Sequence, residues 1–181
     1  ALTTHIKNDL VKRNVPSDKI MTIINGVDIA RYSPLEADIL LIEKYDLKNK
    51  FVVAYIGTHG LAQKLENVIQ AAKILRENKE IVFLFVGAGA ERDGLVALAR
   101  NESLGNVVFL PMQAKTNMPA IWSLCDIALV HLRNDPLFSG VLPSKIFEAM
   151  AMAKPILLVC PQGEASAFIE ENAVGITIEP E

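Results

Sequence analysis

An uninterrupted apolar run, Phe51-Val52-Val53-Ala54-Tyr55-Ile56, constrains this chain most. A strand apolar on both faces belongs inside a parallel sheet with helices above and below it. The pattern then repeats. Leu65, Val68, Ile69, Ala72 and Leu75 fall at helical spacing and predict a helix over 64–77, and Ile81 to Val86 reads as the next strand. Helices over 91–102, 116–124, 143–153 and 163–171 interleave with strands over 107–110, 126–131, 155–159 and 174–178. Strand and helix alternate about five times over short connections, which predicts a doubly wound, Rossmann-like parallel α/β sheet with right-handed crossovers. Upstream, the pattern predicts an amphipathic helix over 2–14, a short strand over 20–24, a linker over 27–34 and a helix over 35–45.

Composition narrows the function classes. A net charge of −3 over 181 residues gives no basic field for nucleic acid. No stretch approaches the roughly 18 apolar residues that span a bilayer. Cys125 and Cys160, the only cysteines, lie in apolar surroundings and read as core residues, without a metal or disulfide framework. The abrupt start in a helical segment suggests an excerpt of a longer protein.

Sheets of this kind bind ligands beyond the carboxyl ends of their strands, where strand order reverses. The loops to inspect are therefore 57–63, 87–90, 111–115 and 132–144. The first reads Gly57-Thr58-His59-Gly60-Leu61-Ala62-Gln63-Lys64, with glycines that let the backbone approach a diphosphate. The alternative is an ordinary glycine turn before a helix. Gly87-Ala88-Gly89 lacks the dinucleotide fingerprint, because it follows the second strand and has Val107, not an acid, about 20 positions on. Pro111-Met112-Gln113 can offer backbone groups to a base edge, while Trp122 reads as core. Asp135 to Gly140, with Ser139 and Gly140 at its end, is placed to meet a sugar or acceptor.

The densest stretch is Pro143-Ser144-Lys145-Ile146-Phe147-Glu148. Pro143 suits the first helical position, Ser144 and Lys145 would lie in an anion-favouring first turn, and Glu148 sits one turn from Ser144 on the same face. Ile146, Ala149, Met150 and Ala153 are spaced to pack the helix on the sheet. Donors for phosphates with a carboxylate for ribose hydroxyls would suit a nucleoside diphosphate. Solvated charges on an amphipathic helix are the plainer alternative.

Three separated stretches carry a resemblance. Ile23-Ile24-Asn25-Gly26-Val27-Asp28 with Tyr32-Ser33-Pro34, Phe109-Leu110-Pro111 with Met118-Pro119 and Ser123-Leu124-Cys125-Asp126-Ile127, and Phe147-Glu148-Ala149-Met150-Ala151 with Lys154-Pro155-Ile156 are similar to motifs of the donor-binding half of GT-B glycosyltransferases, family 4 type. The resemblance implies residues 1–34 as the end of an N-terminal domain and a linker, and 35–181 as a nucleotide-sugar domain with its last helices truncated. It implies retaining transfer of a hexose or amino sugar from a nucleotide donor, usually UDP-linked, with no cofactor or essential metal. Glu148 would hold the donor ribose. The family's other glutamate would fall at Gly140, and its loop Arg and Lys at Thr58 and Gln63. The P-S-K-I-F-E form resembles a subgroup working on bacterial surface polysaccharide, where Lys145 and the Gly57–Gly60 amides would take the phosphates. Acceptor site and catalytic side chain would lie on the other domain, leaving the piece inactive alone. The location implied is cytoplasmic, with a lipid-linked acceptor as the route to the inner face of the membrane. A GT-B-fold UDP-amino-sugar epimerase and a non-enzymatic nucleotide-binding module are the competing readings.

Overall fold

The computed structural model describes residues 1–180. Six parallel strands form one sheet in the order β3-β2-β1-β4-β5-β6, namely β1 (Phe51–Ile56), β2 (Ile81–Val86), β3 (Val107–Leu110), β4 (Ile127–His131), β5 (Ile156–Val159) and β6 (Gly175–Ile178). The order turns between β1 and β4, because the chain builds outward to β3 and then crosses back.

Alternation along each strand divides the core in two. Val52, Ala54 and Ile56 of β1 join Leu84, Ala128, Ile156 and Leu158 on one face. That face is covered by α5 (Met118–Ser123), α6 (Lys145–Ala151) and α7 (Glu164–Glu171), through Trp122, Ile146, Ala149 and Ile169. Val53 and Tyr55 point the other way, with Phe83, Phe85 and Leu129. Leu65, Val68, Ile69 and Ala72 at α3 (Glu66–Ile74), and Leu95 and Ala99 of α4 (Arg92–Asn101), close that face. Each fully buried Leu or Ile contributes about 1.5–3 kcal/mol, so this two-sided burial is what holds the sheet.

The N-terminal region departs from the sequence reading. Helix α1 spans Thr4–Lys12, capped by the Thr3 hydroxyl, which accepts the Ile6 N–H, and none of its residues is buried. Residues 20–24 are extended but join no strand. Among the described residues Met21 and Ile23 bond only to Ala1, and Met21, Ile23 and Ile24 are exposed. An apolar run predicts a strand only if a neighbour stands ready to pair with it. Helix α2 is shorter than expected, Ile39–Lys44, and starts at Asp38, whose carboxylate accepts the Leu41 N–H.

Candidate functional site

Helix α6 starts later than the sequence suggested. Ser144 is its N-cap and Pro143 precedes the helix, so proline is not at the first helical position. The Ile146 and Phe147 amides donate to the Pro143 and Ser144 carbonyls. Two of the first-turn donors are thus already satisfied, which weakens the dipole argument for an anion there. Ile146 and Ala149 seat the helix together with Met152, whereas Ala153 is exposed and left-handed at φ 52°.

What α6 does present is a pair of side chains. Ser144, Lys145 and Glu148 line a cavity of about 470 Å³ together with Gly57, Thr58, Gln63, Gly87, Met112 and Gln113. These come from the loops after β1, β2 and β3 and from the start of α6, at the carboxyl edge beside the strand-order reversal. Tyr32, Lys115 and Met118 also line the cavity and were not among the sequence candidates. Tyr32 had no local signal, since it reaches the site from the linker. A second groove, about 570 Å³, lies at the opposite edge of the sheet among Lys50, Arg76, Lys79, Glu77 and Glu102. Its charges largely neutralise one another.

Lys145 sits tightly. Its Nζ lies 4.0 Å from the centroid of the Tyr55 ring, and a side chain at Gly57 would come within 2.7 Å of that nitrogen. The ring face favours the cation. Burial nevertheless lowers the ammonium from its ordinary 10.5 to about 7, with Glu148 opposing the shift. The residue as a whole is only half-buried, so water at the cavity mouth limits that fall. The Tyr55 hydroxyl donates to the Thr58 carbonyl (2.7 Å) and pins the loop above the lysine.

The glycine loop offers fewer free amides than its sequence promised. Gly57 N–H donates to Val86 O (2.9 Å), His59 N–H to Ala88 O (2.8 Å), and Gly60 N–H to the Gln63 side chain (3.2 Å). Thr58, exposed at the cavity, is the loop residue best placed to meet a ligand. Gly87 is needed for close approach, because at φ 147° any side chain would run into the Gly57 carbonyl.

Several other candidates lie off the cavity. His59 is fully buried, packed against Tyr55, Phe85 and Phe109 at ring distances of 5.8, 6.1 and 6.5 Å, with neither nitrogen hydrogen-bonded. Burial, then the charges of Arg92 and Lys145, push its pKa down to about 4, so the ring is neutral. Gly60, Lys64, Gly89, Pro111, Ser139, Gly140 and Pro143 do not line the cavity either. Gly89 packs on the His59 backbone, the Ser139 hydroxyl donates to Pro136 O, and Gly140 is buried beneath His5. Lys64 is exposed in a left-handed turn at φ 41°.

Glu148 has a partner that the sequence did not suggest. The Trp122 Nε1–H donates to Glu148 Oε2 at 3.1 Å. Tyr32 is close enough that the carboxylate adds to burial, the larger cause, in raising its phenol pKa. The cavity therefore joins a cation and an oriented acceptor, about one helical turn apart, beneath a close backbone approach.

The model of the family described as "Glycosyl transferases group 1" matches residues 40–181, most of the chain. The chain belongs to the glycosyl transferases group 1 family. Among curated relatives, it is 29% identical over 185 residues to the putative colanic acid biosynthesis glycosyl transferase WcaI of Escherichia coli K12, covering 99% of this chain and 45% of that protein. It is 34% identical to the probable glycosyltransferase WbjE of Pseudomonas aeruginosa, over 74% of this chain and 33% of that one. This group 1 chain thus spans less than half the length of either relative. Anabaena Alr3699/HepE in complex with UDP and glucose superposes with a TM-score of 0.82 at 22% identity, over 99% of this chain and 48% of that one. That likeness shows the fold, a Rossmann-like sheet shared with GT-B glycosyltransferases.

Proposed function

We propose that this group 1 chain is the donor-binding half of a glycosyltransferase and that its cavity takes the nucleoside diphosphate of a UDP-hexose or UDP-amino sugar. The observation carrying this is that Lys145 and Glu148 line one cavity together with the Gly57 and Gly87 backbones, with the Lys145 ammonium close against Gly57. The ammonium and the exposed Thr58 face the diphosphate, and Glu148 accepts from the ribose hydroxyls. Met112, Gln113 and Lys115 flank the base. That Alr3699/HepE was crystallised with UDP and with UDP-glucose supports the choice of nucleotide. Names among the relatives, such as colanic acid and teichuronic acid biosynthesis, support surface polysaccharide as the product. Retention of configuration and a cytoplasmic location are part of the proposal that follows from the family resemblance alone.

On this reading residues 1–34 end a preceding domain and its linker, and the acceptor and catalytic groups belong to that domain. No helix among the described residues is long and apolar enough to cross a membrane.

Calorimetric titration with UDP, ADP, GDP and NAD, with and without magnesium, tests the reading. UDP should bind best, independently of magnesium, and Glu148→Ala should weaken it about tenfold, as for loss of a charged hydrogen bond. Equal binding of all four ligands would remove the choice of uridine, and an unchanged affinity in the variant would remove the ribose assignment.

A further inference from the structure

Trp122 is 1% exposed and does not line the cavity, so no ligand stacks on it. Its ring lies in the core between the sheet and α6, among residues such as Leu124, Ile146 and Ala149. A buried indole N–H needs an acceptor, and here that acceptor is one carboxylate oxygen of Glu148, a residue that lines the cavity. Glu148 has other charged company, because its charge is felt at both Lys145 and Tyr32. Yet among the described residues no ion pair joins Glu148 to Lys145. A Glu side chain three residues along a helix from a lysine can reach it readily. Something must keep the two apart if one is to face phosphate and the other a hydroxyl pair.

We infer that Trp122 is a positioning residue: its indole N–H holds one oxygen of Glu148, leaving the second for the ribose and keeping the carboxylate off Lys145. The inference rests on the reading of Glu148 as the ribose acceptor and adds a residue on a different helix to that function. Phenylalanine at position 122 would keep an aromatic ring in the core, with a small cavity where the five-membered ring was, but could not donate. Glu148 would then be free to fold toward Lys145, weakening ribose and phosphate binding together.

Titration of UDP and of its 2′,3′-dideoxy analogue into the wild type, Trp122→Phe, Glu148→Ala and the double variant decides the point. Trp122→Phe should weaken UDP about tenfold, and much less in the Glu148→Ala background, since both act through one group. It should affect the dideoxy analogue less than UDP. Additive losses, or equal losses for both ligands, would mean that Trp122 is merely structural and would overturn the inference. If Glu148→Ala leaves UDP binding intact, the ribose assignment itself fails, whatever Trp122 does.

Should Trp122→Phe not fold, the chain's single tryptophan supplies a second measurement. Its one indole N–H resonance should move on UDP binding in the wild type and stay still in Glu148→Ala. A signal indifferent to both UDP and Glu148 would sink the proposal.

Discussion

On the proposed reading, Lys145 sets binding against stability. Unfolded, its amine titrates at the ordinary 10.5, and folded at about 7, so between those values the unfolded chain holds the extra proton. Stability therefore rises with pH across that window, and below pH 7 the burial penalty is complete. Lys145→Met should remove the penalty, stabilising the fold at pH 6 by about 1 kcal/mol once solvent at the cavity mouth is allowed for. The gain should vanish toward pH 10 in thermal melts, and an unchanged pH slope would mean the amine is solvated after all. The same variant should bind UDP less well, and wild-type affinity should decline above pH 7 as the ammonium is lost. Lys145 and Glu148 were legible in the sequence because three positions on one helix fix their relation. Burial of His59 was not, since its loop position looked open and the aromatic ring closing over it, Phe109, lies fifty residues on.

At the scale of elements, the strands were plain because each is a short apolar run flanked by helical periodicity, and β1, β2 and β3 match their expected spans. Residues 20–24 show what such runs cannot reveal, which is whether a neighbouring edge is free. The loops were harder. Their glycines were visible, but whether their amides point into a cavity or into the next loop depends on how β1 and β2 register, Ile56 beside Val86. That register puts Gly87 against the Gly57 carbonyl. Gly87→Ala should therefore cost about 3 kcal/mol through strain at a positive φ and displacement of the loop. Circular dichroism melts would show the loss, and UDP titration should show binding failing with it. A variant that melts and binds like the wild type would mean that the loop has room the geometry denies.

The whole molecule is a sheet whose candidate cavity lies along one edge, lined by residues as far apart as Tyr32 and Glu148, and sequence spacing alone could not join them. Tyr32 is the clearest case. It belongs by position to the linker, yet it is 7% exposed and packs within the main core. The segment around Gly26 is therefore a loop held at both ends: Tyr32 fixes it downstream, and upstream the buried Thr3 hydroxyl donates to the Gly140 carbonyl while the His5 amide donates to Glu164. A chain cut to begin at residue 27 should lose the Thr3–Gly140 hydrogen bond and the His5 cover and melt below the parent. One beginning at residue 35 should melt lower still, by roughly the 3–5 kcal/mol typical of losing a buried aromatic. Limited proteolysis should nick the parent in the mostly exposed, irregular residues on either side of Tyr32, 21–31 and 33–37, before it cuts the sheet. What bounds this loop is where side chains are buried at each of its ends, not where a domain boundary is drawn in the sequence.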